Sequence, residues 1–209
     1  MIPDTSELIV IAGNQGSGKS TVARSLARRF ACAAVVSADV LHEMIVTGGQ
    51  WPEQRAMSEP ARQQLNLRLQ QACFVAASFV DAGITAVLED SVVGERVDHM
   101  LDHLAGRRLH FVMLNPNAEA IRQREASRGT ELFDEWAWLD DTIQNHTPRI
   151  GLWLDSSQQS PNETVDEILA RVWSEGVVDL SSRSRGPGLP AGHESQFPRA
   201  AREVRAEAH

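Results

Sequence analysis

Residues 13–20 read Gly13-Asn14-Gln15-Gly16-Ser17-Gly18-Lys19-Ser20, and they follow directly on the apolar run Leu8–Ala12. This is the pattern G-x-x-x-x-G-K-[ST], whose backbone N–H groups surround the phosphates of a nucleotide. A short continuous apolar run is typical of a buried parallel strand, and the spacing of Val22 and Leu26 is typical of a helix that begins near Gly18. The sequence therefore predicts a strand, a phosphate loop (residues 13–20) and a helix, in that order.

Among the 20 lysine and arginine residues of the chain, only Lys19 is a lysine. An ammonium group is a compact charge on a thin stem that reaches between phosphates, whereas a guanidinium is wider and planar. Lys19 is therefore predicted both to bind phosphate and to assist catalysis, and the hydroxyl of Ser20 is predicted to bind Mg²⁺. The predicted nucleotide-binding residues are Gly13, Asn14, Gln15, Gly16, Ser17, Gly18, Lys19, Ser20 and Thr21. The alternative is a glycine-rich turn that binds no ligand.

Short apolar runs and helical patterns alternate along the rest of the chain. Further strands are predicted at Ala33–Ser37, Ile84–Leu88, Leu109–Leu114 and Leu152–Leu154. Further helices are predicted at Val40–Val46, Pro60–Ala82, Glu95–Leu104, from Asn117 to Gly129, Glu131–Ile143 and from Ser160 to about Trp173. This order predicts an α/β protein in which a five-stranded, mostly parallel sheet carries helices on both faces. Together with the phosphate loop it indicates a three-layer P-loop NTPase fold, and the helix that carries Arg124 and Arg128 is expected to form a helical lid. The domain is predicted over residues 1–178, and residues 179–209, rich in Ser, Arg, Gly and Pro, are predicted to form a disordered tail.

The composition restricts the partners and the location of the protein. A net charge of −8 argues against a nucleic-acid partner, because an acidic surface repels a phosphate backbone. Cys32 and Cys73 lack the spacing of a metal or redox site, and both are expected to be reduced residues of the core. No signal peptide or membrane-spanning run is evident, so no membrane partner and a cytoplasmic location are expected. The sequence leaves the oligomeric state open, including a homo-oligomer.

Three carboxylates fall at the predicted carboxyl ends of strands, where parallel sheets bind their ligands. Asp39 follows the second strand, and it is predicted to be the base that accepts a hydroxyl proton and to hold Mg²⁺ through water. Its alternative role is that of a helix N-cap. Glu89 and Asp90 end the third strand, and strand alternation directs only one of them into the crevice. The spacing does not decide whether Glu89 or Asp90 points into the crevice. The predicted Mg²⁺ ligands are Ser20, Asp39 and Asp90.

Arg124 and Arg128 lie four residues apart on one face of a predicted helix. Phosphoryl transfer needs positive charge on the oxygens of the moving group, and arginines from a lid supply it. The alternative is a solvated basic face beside acids such as Glu125. Arg149 is a further candidate phosphate ligand. His42 and the loop Trp51–Arg55 are candidates for the acceptor pocket, with ordinary loop or core roles as the alternative.

These motifs together resemble those of the small P-loop kinases, such as shikimate kinase, gluconate kinase and, closest in pattern, chloramphenicol phosphotransferase. The similarity rests on the phosphate loop, Asp39-Val40-Leu41, the strand that ends in Glu89-Asp90, and Arg124–Gly129, and it covers about residues 6–175. The resemblance implies the fold of this family, dependence on ATP and Mg²⁺, and an aspartate base.

The expected activity is transfer of the γ-phosphoryl group of ATP to a hydroxyl group of a small-molecule acceptor, either an antibiotic or a sugar-like metabolite. Two alternatives stay open at this point. One is a nucleotide or polynucleotide kinase with the same core, and the other is an ATP-binding switch protein that is not a kinase.

Overall fold

A computed structural model describes residues 3, 5–51, 57–127, 129 and 136–183 of the chain. The strands of this part are β1 (Leu8–Gly13), β2 (Ala33–Ser37), β3 (Thr85–Glu89), β4 (Arg108–Leu114), β5 (Leu152–Leu154) and β6 (Val177–Asp179). The helices are α1 (Lys19–Ala27), α2 (Ala38–Glu43), α3 (Glu59–Asp81), α4 (Arg96–His103), α5 (Ala118–Ala126), α6 (Ala137–Asp141) and α7 (Pro161–Glu175). A π-helix over Thr142–His146 continues α6.

The first five strands form a parallel sheet in the order β2-β3-β1-β4-β5. On one side of β4 lies β1; on the other side lie β5, beside the carboxyl half of β4, and β6, antiparallel to its amino half. Because all five parallel strands run the same way, their carboxyl ends share one edge of the sheet. The predicted α/β fold with a P-loop and a mostly parallel sheet is confirmed.

Helices cover both faces of the sheet, as the alternation along β1 requires. Ile9 and Ile11 pack into a buried cluster with α1 and α7, whereas Leu8 and Val10 pack into a second cluster with α3 and α4. Both clusters contain fully buried aliphatic side chains. The sheet therefore separates two apolar layers. The phosphate loop follows β1, which is the central strand of the five parallel strands.

Strand β6 is not evident from the sequence, because Val177 and Val178 form an apolar run too short to be recognised as a strand. The chain that follows it also packs on the domain. Leu180 is only 5% exposed, and its backbone exchanges hydrogen bonds with the loop at Gly106 and Arg107. Residues 179–183, which the sequence assigns to the tail, thus lie on the domain. Residues 184–209 are outside the described part, and their disorder stays a prediction.

Cys73 is buried as expected, but Cys32 is exposed, because it lies in the turn before β2 rather than in the core. The helix predicted at Glu131–Ile143 is described only from residue 136 onward, where α6 and the π-helix replace a regular helix. Within the described ranges, no helix is both long and apolar enough to cross a bilayer.

Candidate nucleotide and acceptor site

The phosphate loop packs closely against its neighbours at two glycines. A Cβ atom at Gly13 would lie 2.6 Å from the carbonyl oxygen of Leu114 on β4. At Gly16, with φ 76°, a Cβ atom would lie 2.7 Å from Cγ2 of Ile121 on α5. Only glycine fits such approaches without a shift of the backbone. The loop is therefore held between β4 and the first helix of the predicted lid.

Lys19 begins α1 beneath the loop and is only 7% exposed. Its Nζ donates a hydrogen bond of 2.8 Å to the carbonyl oxygen of Asn14, which also accepts from the backbone N–H of Ser17 at 3.2 Å. Burial lowers the pKa of Lys19, and the carboxylates of Glu89 and Asp39 oppose that shift. An ammonium in this setting is suited to an anionic ligand at the mouth of the loop.

Several polar atoms in and beside the loop are buried and have no hydrogen-bond partner among the described residues. They are Nδ2 of Asn14, Oγ of Ser17 and Oγ of Ser156. A buried polar group without a partner costs about 1–3 kcal/mol, so natural proteins keep such groups mainly where a ligand or water completes them. This pattern fits a site that binds a polar ligand.

Glu89, not Asp90, is the strand-end carboxylate that reaches the phosphate loop. Glu89 is buried, and the hydroxyls of Ser37 and Ser20 lie near enough to stabilise its charged form. Burial raises the pKa of Glu89, against the opposing effects of Ser37 and Lys19. Its place beside Ser20 makes it the better metal candidate.

Asp90 points to the other side of β3, and both of its oxygens are occupied. Oδ1 accepts from Nη2 of Arg68 at 2.6 Å and from the backbone N–H of Ser91 at 2.7 Å, and Oδ2 accepts from Nη2 of Arg96 at 2.8 Å. Burial alone would raise the pKa of Asp90, but Arg96 and Arg68 more than offset this, and the pKa is lowered. Both oxygens of Asp90 already accept hydrogen bonds, which favours Glu89 over Asp90 as a metal ligand, and the place of Asp90 in the metal set stays a prediction.

Arg68 on α3 links Asp90 to Asp39. Its Nη1 donates to Oδ1 of Asp39 at 2.8 Å; the Arg68 side chain is 7% exposed, and that of Asp39 is 48% exposed. Arg68 is not among the site residues predicted from the sequence. Its signal is a charged residue within the apolar stripe of α3, between Leu65 and Ala72, where helical spacing predicts burial.

A cavity of about 530 Å³ opens beside Asp39. Gln15 of the phosphate loop lines one part of it, and α6 with the π-helix lines another. His42, a candidate for this region, does not line the cavity but supports it: it is buried, and its ring lies 4.3 Å from that of Trp51. Residues 52–55 of the candidate loop lie outside the described residues.

The three arginines predicted for the site, Arg124, Arg128 and Arg149, are considered in turn by their contacts. Arg124 donates through Nη1 to the carbonyl oxygen of Ser17 at 3.1 Å and through Nη2 to the carbonyl oxygen of Ser156, so it bridges the phosphate loop and the segment after β5. Arg128 lies outside the described residues. The guanidinium of Arg149 stacks 3.8 Å from the ring centre of Trp153.

A family model described as an AAA domain matches residues 8–145, which include the phosphate loop, Asp39, both strand-end acids and Arg124. The chain belongs to this AAA domain family. A comparison with curated proteins finds no match.

Several solved structures of kinases share the fold of this AAA domain protein. An unliganded sugar kinase from Janibacter sp. is 22% identical, with a TM-score of 0.58 over 79% of this chain and 93% of that one. The APS kinase of Mycobacterium tuberculosis, in complex with AMPPNP and APS, is 19% identical, with a TM-score of 0.59 over 80% and 98%. A gluconokinase from Sinorhizobium meliloti is 18% identical, with a TM-score of 0.57 over 83% and 95%. The expected likeness to small P-loop kinases is thus confirmed at the level of the fold.

Proposed function

We propose that this AAA domain protein is a kinase that transfers the γ-phosphoryl group of ATP to a hydroxyl group of a small molecule. The observation that carries the proposal is the cavity of about 530 Å³, whose walls include both Gln15 of the phosphate loop and Asp39. A molecule in this cavity lies between the phosphate end of a bound nucleotide and a carboxylate. The volume is in the range that drug-sized ligands occupy.

The phosphate loop and Lys19 hold the triphosphate in this proposal, with the positive end of α1 adding to the attraction. The oxygens of Ser20 and Glu89 fit Mg²⁺, a hard cation that prefers hydroxyl, carboxylate and phosphate ligands. Bound there, the ion would offset negative charge on the outer phosphates. Asp39 stays a candidate for holding it through water.

Asp39 receives the proton of the acceptor hydroxyl. Arg68 binds one of its oxygens from the side of α3, which fixes the orientation of the carboxylate at the cavity. Arg124 braces the phosphate loop against the segment after β5. Arg128, four residues further along the chain, is assigned to the transferring phosphoryl group on the sequence pattern alone.

The direct test is mass spectrometry of products after incubation with ATP, Mg²⁺ and a panel of hydroxyl compounds. Parent protein is compared with Asp39→Asn and with the control Asp81→Asn, which alters an exposed aspartate paired with Arg107 at the far end of α3. We expect a phosphorylated small alcohol with the parent and the control only.

The same panel includes nucleosides and oligonucleotides, which separates the two alternatives. Phosphorylation of oligonucleotides in preference to small alcohols favours a polynucleotide kinase. ATP hydrolysis that responds to no hydroxyl compound favours the nucleotide switch.

A further inference from the structure

Most of the surface that lines the cavity beside Asp39 is apolar, and seven of the sixteen lining residues have apolar side chains. Three are tryptophans and four are aliphatic or thioether side chains: Trp51, Trp136, Trp138, Met57, Leu65, Val93 and Leu139. Apolar walls bind a ligand by removing its apolar surface from water, and they offer little to a molecule covered with hydroxyl groups. These walls should therefore bind an acceptor with a large apolar surface more tightly than one covered with hydroxyl groups.

These walls are held in place by contacts within the protein. Gln64 on α3 accepts a hydrogen bond from the backbone N–H of Gln50 at 2.7 Å and donates one to the carbonyl oxygen of Gly48 at 2.8 Å. This fixes the loop that presents Trp51, which also packs on His42. A pocket that is already formed binds an apolar ligand without first ordering its own walls.

Trp136 and Trp138 are also held by contacts within the protein. The rings of Trp136 and Trp138 lie 6.1 Å apart, and both pack against the buried cluster between the sheet and α3. The cavity is thus bounded by aromatic rings from two separate segments of the chain.

The charges at the cavity give no excess of positive charge among the described residues. Arg68 and Arg96 both line it, but Arg68 is paired with Asp39 and Asp90, and Arg96 with Asp90. Glu95 adds a further carboxylate. A carboxylate or phosphate on the acceptor would compete with these ion pairs, and burying it without a partner is costly.

We infer that the acceptor is an uncharged alcohol with an apolar, ring-bearing body, rather than a sugar or a sugar acid. This inference rests on the proposed kinase function. In the reaction the acceptor oxygen bonds to the γ-phosphorus, the bond from that phosphorus to the β,γ-bridging oxygen breaks, ADP leaves, and Asp39 takes the hydroxyl proton.

The test measures binding and turnover separately in the full chain. Binding is followed calorimetrically with Mg²⁺ and a non-hydrolysable ATP analogue, using naphthaleneethanol, its ring-carboxylated analogue, glucose and gluconate as probes. Turnover of the same four compounds is followed by mass spectrometry with ATP. Trp51→Ala is the test variant, because the side chain is 48% exposed and its removal spares the core; Phe74→Ala, 54% exposed and outside the cavity lining, is its control.

We expect naphthaleneethanol to bind about tenfold or more tightly than each of the other three probes. Its affinity should fall about tenfold in Trp51→Ala and stay unchanged in Phe74→Ala. Equal or tighter binding of gluconate, glucose or the carboxylated analogue overturns the inference. The inference is also overturned if no binding of naphthaleneethanol is detected, or if its affinity is the same in Trp51→Ala as in the parent protein.

The two readouts distinguish the inference from the function on which it rests. Binding of naphthaleneethanol without phosphorylation contradicts the kinase proposal and leaves the apolar ligand class standing. Phosphorylation of gluconate or glucose in preference to naphthaleneethanol supports a kinase and contradicts the apolar acceptor.

Discussion

Asp39 lines the same cavity as Gln15 of the phosphate loop. Arg68 holds its Oδ1, and the carboxylate is half exposed beside the cavity. Asparagine keeps the shape and can still accept the hydrogen bond from Arg68, but it cannot take a proton at neutral pH. Asp39→Asn should therefore lower kcat about a hundredfold to ten-thousandfold with little change in ATP affinity.

Steady-state kinetics and calorimetric titration with ATP check this prediction. Turnover within a few-fold of the parent protein contradicts the base role. A loss of ATP affinity equal to the loss of rate would instead assign Asp39 to nucleotide binding.

For Glu89, we predict that the charged carboxylate that suits Mg²⁺ makes the folded protein less stable at neutral pH than a neutral side chain would. Burial raises its pKa above the ordinary value of 4.5, so the folded state holds the proton more tightly than the unfolded state does. The stabilising effect of the protonated carboxyl is fully present below pH 4.5 and is lost as the pH rises through the raised pKa. Glu89→Gln cannot lose a proton, so its stability relative to the parent should increase from pH 4 towards pH 7.

Urea denaturation at a series of pH values measures this difference, with the exposed Glu43→Gln as control. The same Glu89→Gln variant should need more Mg²⁺ for half-maximal activity, because Ser20 loses its neighbouring carboxylate. A stability difference that does not change with pH contradicts the raised pKa.

At the scale of the elements, Arg68 ties α3 to the end of β3 and to α2. It does so with two different guanidinium nitrogens, one for Asp90 and one for Asp39. Lysine keeps the positive charge but has a single nitrogen and no planar fork. Arg68→Lys should therefore destabilise the protein by about 2–3 kcal/mol and lower kcat, because a buried ion pair is weakened and Asp39 loses its fixed orientation.

The control for this variant lies on the same helix. Arg62→Lys changes an exposed arginine that pairs with Glu59, and it should cost less than about 0.5 kcal/mol. Thermal denaturation and kinetics of both variants make the comparison. Equal effects of the two substitutions would mean that the buried network around Asp90 contributes nothing specific.

The sequence predicted the elements whose determinants are local. The phosphate loop, β1 and α1 follow from one continuous stretch, and the strands beside them follow from apolar runs. The choice between Glu89 and Asp90 could not be made, since it depends on which face of β3 meets α1 and which meets Arg68 from α3. The apolar cavity could not be predicted from the sequence either, because residues as far apart in the chain as Trp51 and Trp138 form its walls.

At the scale of the whole molecule, the chain after α7 decides where the folded domain ends. Leu180 is buried, β6 pairs with β4, and the guanidinium of Arg183 donates to Asp102 at 2.8 Å through Nε. Removal of residues 177–209 should therefore lower the free energy of unfolding by about 3 kcal/mol, the scale of one or two buried aliphatic side chains. Removal of residues 184–209 should leave it within about 0.5 kcal/mol of the parent, because the tail composition favours no packing. Denaturation of both truncated proteins and of the full chain measures this. Equal stability of the two truncated proteins would exclude a role for β6. A large loss of stability on removal of residues 184–209 alone would mean that the tail packs on the domain.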